Sequence, residues 1–304
     1  MGTARESTNR VEGTSLPAKT PDDELGSTCM RMDISGASDA SPRRPTNMDH
    51  FLAGRVERSL EVMCSNLPSG TVPRRHGEFG YGMLVADGIG GSAHGGQASV
   101  LAIQTLVKLL LNAPAWILRS DDDRVAAELL RRASDRYAAV NQALAEAEER
   151  NPALRGWGTT LTAALSLGAN LFVAHIGDSR AYLLRGGKLL RLTRDHTMAA
   201  TLAEAGLRVW KTGETHRFHH LLTRYLGSKD SSLKADLLKV RVEPGDRLLL
   251  CTDGLTNSVT DHSITALLGG AASADAACKE LIQAALTNQA DDNVTVVVGR
   301  FLEE

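Results

Sequence analysis

The chain predicts an α+β fold in which strands and helices are segregated rather than alternating. Three observations carry this. The second half is a series of strand-length apolar runs joined by short turns. Helical periodicity falls in two blocks, one in the first half and one close to the C-terminus. The 304 residues are enough to bury a core without disulfide or metal staples.

In chain order, residues 1–27 are polar, contain Pro and Gly and lack aromatic side chains. They cannot offset their ordering entropy, which predicts a mobile tail. Thr28–Ile34 is a candidate strand. A polar loop with Pro42, Arg43, Arg44 and Pro45 leads to a second short strand near Phe51, and Pro68–Gly77 is a polar connection. Phe79–Ala86 is an apolar strand that stops sharply at Asp87. Gly-rich residues Gly88–Gly96 precede a helix predicted over Gln97–Leu111, where Leu101, Leu106, Val107 and Leu110 recur at helical spacing. A second helix is predicted over Asp121–Arg150, opened by Asp residues suited to a helix N-terminus.

The strand series then comprises Thr160–Ser166, Leu171–Ile176, Ala181–Arg185 and Leu189–Thr193, with Gly186-Gly187 forming a hairpin turn. The charge-free stretch Gly156–Gly177 reads as two buried strands around the turn at Gly168-Ala169-Asn170, not as a spanning helix. A helix over Thr197–Glu204 and a polar insertion, Arg208–His220, follow. Strands fit Leu237–Val242, Arg247–Cys251 and Val294–Phe301. Helices fit Ser263–Leu268 and Ser273–Leu286, each with a Ser as N-cap.

Composition excludes several functions. Lys and Arg total 34 against 36 Asp and Glu, for a net charge of -2, which argues against a nucleic-acid binder or a polybasic membrane-surface protein. The four cysteines are single, so zinc-finger and thioredoxin-like chemistry is excluded, and a reducing, cytoplasmic location is expected. The N-terminal segment has no apolar run of the secretory type, and Glu6 breaks the myristoylation pattern.

Four acids adjoin apolar strands: Asp87 and Asp253, each followed by Gly, Asp178 after FVAHIG, and Asp292 before VTVVV. A single Asp-Gly is ordinarily a turn. Four carboxylates held at strand ends would repel one another if they met, unless a cation neutralised them. Oxygen-only ligands select hard ions such as Mg²⁺ or Mn²⁺.

Seven short motifs then occur in order: Arg44-Pro-Thr-Asn47-Met-Asp49, Val85-Ala-Asp87-Gly88-Ile-Gly90-Gly91, Gly158-Thr159-Thr160, His175-Ile-Gly177-Asp178-Ser179-Arg180, Leu222-Thr223-Arg224-Tyr-Leu-Gly227, Cys251-Thr-Asp253-Gly254-Leu255-Thr and Asp292-Asn293-Val-Thr-Val. In these the chain resembles the bacterial-type protein phosphatase 2C (PPM) family of metal-dependent serine/threonine phosphatases, from about Asp33 to Phe301. The resemblance implies a four-layer α-β-β-α sandwich, two mostly antiparallel sheets flanked by helices, with residues 28–304 as the catalytic domain. It implies two Mn²⁺ or Mg²⁺ ions and a third, looser one. Asp87 would bridge the two ions and the Gly88 carbonyl would ligate one of them. Asp253 and Asp292 would ligate the other, and Asp178 with Asp253 would hold the third. Asp49 would hold water in the outer metal shell, and Arg44 would bind the substrate phosphate. The implied reaction is attack on phosphorus by a metal-activated water, with no phospho-enzyme. The implied partners are phosphorylated proteins, targets of a Ser/Thr kinase, acted on by a monomer without nucleic acid or membrane.

The chain departs from the family at Met48, where Glu is frequent, at Ile89, where some members carry a His, and at Asn257, where Asp is frequent. The first weakens the case for tight metal binding and leaves room for a catalytically inactive phosphoprotein-binding module. His175 reads as a satisfied core histidine, Thr159 and Thr160 as packing and hydrogen-bonding residues beside the site, and His219-His220 as residues of a solvated loop.

Overall fold

The structure is a computed structural model that describes residues 30–68, 70–113, 123–207, 217–230 and 232–302. The tail expected over 1–27, the start of the first strand, Asp121 and Asp122 of the second helix and most of the 208–220 insertion lie outside the described residues.

Two units are distinguished. In the smaller, residues 59–77 carry the end of a hairpin, closed by the Val62 N–H donating to the Arg74 carbonyl at 2.9 Å and by an Arg75–Glu61 ion pair. The larger comprises 28–58 and 78–304. Twelve strands and six helices are distinguished among the described residues. One five-stranded sheet has the order β1 (Met32–Asp39), β12 (Val294–Phe301), β11 (Arg247–Cys251), β8 (Arg180–Arg185), β9 (Lys188–Arg191). The other has the order β10 (Asp236–Arg241), β7 (Asn170–Ile176), β6 (Leu161–Leu167), β3 (Arg75–Ala86), β2 (His50–Glu61). A short ribbon pairs β4 (Gly88–Ile89) with β5 (Gly158–Thr159).

The central strands are continuously apolar because both of their faces are covered. Side chains alternate across a strand. Thus Met83 and Val85, Leu248 and Leu250, and Val297 and Phe301 meet between the two sheets. Their neighbours Leu249, Cys251, Val296 and Val298 face the layer of α4 (Asp253–Ser258), α5 (Asp261–Gly270) and α6 (Ala274–Thr287). Leu84 and Ala86 face α1 (Gly91–Leu111) and α2 (Asp123–Arg150), and the Tyr137 hydroxyl of α2 donates to the Ala174 carbonyl at 2.8 Å. The larger unit is therefore the α-β-β-α sandwich expected. The remaining helix, α3 (Met198–Glu204), precedes the insertion.

Several boundaries are corrected. Among the described residues β1 runs over 32–39, beyond the expected end at Ile34, because its polar half pairs in register with β12, from Met32 opposite Phe301 to Asp39 opposite Val294. β2 and β3 extend well beyond the short strands expected; the added residues are largely solvent-facing and so carry no apolar signature. β9 ends at Arg191. α1 starts at Gly91, inside the Gly-rich run. The N-cap of α5 is Thr260 rather than Ser263, whereas Ser273 caps α6 as expected. Helix α4 has no counterpart among the helices that the sequence predicts. The 156–177 stretch forms strands, and among the described residues no helix is long and apolar enough to cross a membrane. Cys251 and Cys278 are buried free thiols.

Candidate functional site

Antiparallel pairing brings the strand-end acids to one end of the sandwich. The C-terminal ends of β1, β3, β7 and β11 and the N-terminal ends of β8 and β12 coincide there, as the pairs Asp39–Val294, Val85–Thr162, Ile176–Leu161 and Cys251–Arg180 require. A cleft of about 310 Å³ opens at this end, lined by Arg44, Asp87, Gly88, Asp178, Asp253 and Asp292 together with Met48, Ile89, His220 and Leu222. Six of the seven residues singled out from the sequence thus meet in one place.

The motif loops are locked to one another by close backbone approach. A Cβ at Gly88 would stand 2.2 Å from the Gly95 carbonyl oxygen, and one at Gly254 would stand 2.0 Å from the Asn293 carbonyl oxygen. Asn293 is a hub: its Oδ1 accepts from Met48 N–H at 2.9 Å, and its Nδ2 donates to the carbonyls of Ala40 and Thr46 at 2.8 and 3.1 Å. Thr160 Oγ1 accepts from the Asp87 N–H at 3.0 Å, and the Thr159 hydroxyl donates to the Asp87 carbonyl at 2.8 Å, the supporting roles expected of these two threonines. Thr159 also exchanges both backbone bonds with Leu226, which ties two further motifs together. Arg180 clamps Asp195 through Nε at 3.0 Å and Nη2 at 2.8 Å, a structural pair rather than a ligand-binding one.

Burial and mutual repulsion raise three of the cleft carboxyls above the usual carboxylate range. Asp87 lies well above the usual carboxylate range, first through burial and then through Asp49, Asp253, Asp178 and Asp292. Asp178 is raised likewise, by burial and by Asp253. Asp292 is raised by burial and by Asp253, against the opposing pull of Arg44.

Asp49 does not line the cleft. It is buried behind it, where its Oδ2 accepts from the Thr252 hydroxyl at 2.7 Å and burial pushes its pKa to about 7. Arg44 does reach the cleft, but its Nη2 donates to Asp292 Oδ2 at 2.6 Å, and both side chains are partly exposed, at 42% and 29%. His175 is a satisfied core histidine, bonded to the Thr162 hydroxyl at 2.8 Å and to the Arg194 carbonyl at 3.0 Å. The sequence predicts a solvated loop position for His220. It is 42% exposed, yet it lines the cleft with Nδ1 3.6 Å from Asp253 Oδ2. The resemblance, which matches the insertion holding His219-His220 to the family's flap near the site, is the signal for this position.

The donor set fits a hard divalent cation. It is made of oxygens, and Asp253 Oδ1 is buried without a hydrogen-bond partner, the condition of an atom that lacks its ligand. Among the described residues no three His, Cys, Asp or Glu side chains stand close enough to hold an ion alone.

The sequence profile described as Protein phosphatase 2C matches residues 74–294. The serine/threonine protein phosphatase PstP of Mycobacterium tuberculosis is 39% identical over 221 residues, 73% of this chain and 40% of PstP, so the chain matches less than half the length of that relative. The serine/threonine phosphatase stp of Listeria welshimeri is 31% identical over 216 residues, 71% of this chain and 82% of the relative. The crystal structure of the catalytic domain of PstP in complex with two manganese ions superimposes with a TM-score of 0.68 at 32% identity, covering 90% of this chain and 99% of that one.

Proposed function

We propose that this chain, which belongs to the protein phosphatase 2C family, is a protein phosphatase that hydrolyses phosphoserine and phosphothreonine at a Mn²⁺ or Mg²⁺ centre in the cleft, with residues 28–304 as its catalytic domain. The observation that carries the proposal is the convergence of Asp87, Asp178, Asp253 and Asp292 on one cleft with Arg44 at its mouth. Asp87, the Gly88 carbonyl, Asp253 and Asp292 would hold two ions, and Asp178 with Asp253 a third. Bound ions of this kind supply an activated water near neutral pH and offset charge on the phosphoryl oxygens.

The chain's own residues do the rest. Arg44 engages Asp292 through Nη2, and its other guanidinium donors can take a phosphate oxygen in a charge-assisted bond. Thr159 and Thr160 fix the backbone of Asp87, so its carboxylate is aimed before substrate arrives. Asp49, held by Thr252, sits behind Asp87 and adds negative charge that favours cation binding. Ile89 offers no proton to a leaving alkoxide. The substrates are phosphorylated proteins, the products of a Ser/Thr kinase, and the protein acts as a monomer in the cytoplasm.

The test is hydrolysis of p-nitrophenyl phosphate and of a phosphothreonine peptide with Mn²⁺, with EDTA as control. Activity should need Mn²⁺ and should be lost in Asp87→Ala and Asp253→Ala. Undiminished activity in either variant would refute the site. A second reading, a non-catalytic phosphoprotein-binding module, rests on Met48, which lines the cleft where a carboxylate is frequent in the family. Calorimetry that finds no binding at millimolar Mn²⁺ would favour it.

A further inference from the structure

Beside the cleft lies a second cavity of about 340 Å³, bounded by Thr46, His50, Gly96, Gln97, Val100, Leu101 and Gln104. Thr46 lines both spaces, so the second adjoins the first. The wall they share is anchored from two sides. The Thr46 carbonyl accepts from Asn293 Nδ2 at 3.1 Å, and the Ser99 hydroxyl of α1 donates to the Met48 carbonyl at 2.7 Å while its oxygen meets His50 Nδ1 at 2.8 Å. The cavity wall is therefore tied into the hydrogen-bonded frame around Asn293, the residue that follows Asp292.

Its chemistry is distinct from that of the cleft. None of the bounding residues is Asp, Glu, Lys or Arg. Val100 and Leu101 supply apolar surface and are half-buried, whereas Thr46, Gln97 and Gln104 are exposed polar groups. Gln97 and Gln104 lie two turns apart on one face of α1, about 10.5 Å along the axis. Three residues of extended polypeptide span roughly 10 Å, so both amides can reach the backbone of one strand-like segment.

Resting on the phosphatase reading, we propose that this cavity is the subsite for the polypeptide flanking the phosphorylated residue, and that it selects an uncharged side chain there. A charged flanking group would lose water against Val100 and Leu101 without gaining a counter-charge. An apolar or amide side chain would not.

The test uses phosphothreonine peptides that differ at one flanking position at a time, with Val, Gln, Glu or Lys, assayed with Mn²⁺ beside p-nitrophenyl phosphate, which has no flanking residue. On one side of the phosphothreonine, Val and Gln peptides should exceed Glu and Lys peptides in kcat/KM by about tenfold. Gln97→Lys and Gln104→Lys, both at exposed positions, should each move that selectivity towards Glu by a similar factor. If p-nitrophenyl phosphate is hydrolysed but all wild-type peptides fall within about threefold of one another, the subsite is refuted and the phosphatase reading stands. A selectivity unchanged in both variants refutes it too. No hydrolysis of either substrate class overturns both readings.

Discussion

Gly254→Ala is the sharpest probe of how the site is assembled. The new methyl carbon would stand 2.0 Å from the Asn293 carbonyl oxygen, 2.9 Å from its carbon and 3.3 Å from Val294 Cγ2. A carbon and a carbonyl oxygen in contact sit at about 3.3 Å, so the two backbones must part by roughly 1.3 Å. Neither yields easily. Asn293 is held by Met48, Ala40 and Thr46, and the Gly254 carbonyl accepts from the Ser258 hydroxyl at 2.6 Å. Overpacking of this kind costs about 1–3 kcal/mol, less than the ~5–15 kcal/mol that holds a domain together, so the variant should fold. Its consequence falls on the carboxylates next to the clash, Asp253 and Asp292. A displacement of about 1 Å at reacting groups can cost ~100-fold in rate. Urea denaturation should show the stability loss, and Mn²⁺-dependent p-nitrophenyl phosphate hydrolysis, corrected for folded fraction, should fall by about two orders of magnitude. Gly54→Ala, whose Cβ would meet nothing within 4 Å, serves as the control. Wild-type stability and rate in Gly254→Ala would refute the claim that this contact sets the distance between the two acids.

Two further predictions concern groups around the cleft. Met48→Glu restores the carboxylate frequent in the family, and calorimetry should show Mn²⁺ affinity raised by about tenfold, within the range that outer-shell partners contribute; an unchanged affinity would show that Met48 does not limit metal binding. His175 is held neutral, with burial pushing its pKa down to about 3 from 6.5. The unfolded chain then binds more protons than the folded one between these values, so the stability His175 contributes is present above about pH 6.5 and is lost as pH falls towards 3. Urea midpoints of wild type and His175→Gln should converge on acidification. The difference between them is the quantity to read, because Asp49, raised to about 7, works in the opposite direction; a constant difference from pH ~7 to ~5 would contradict the assignment.

The elements legible in the sequence are those whose burial leaves a periodic trace. β11, β12 and the end of β3 are apolar on both faces because sheets and helices cover them, and the acids that interrupt these runs are visible as Asp87, Asp253 and Asp292. The start of α1 left no such trace. Gly90, Gly91, Gly95 and Gly96 oppose helix formation locally, but the approach of Gly95 to Gly88 and Met48 admits only small residues, so tertiary packing overrides propensity.

By itself, then, the sequence singled out the side chains proposed to carry the chemistry, because acids placed at strand ends and the order of seven motifs are properties of the linear chain. Only the tertiary structure decided how they are disposed: Asp49 behind the cleft on Thr252, Arg44 on Asp292, His220 on the cleft wall, and Thr46 between two cavities. Those relations join residues up to 248 positions apart, as Arg44 and Asp292 are, and come into being when antiparallel strands bring their ends to one side of the sandwich.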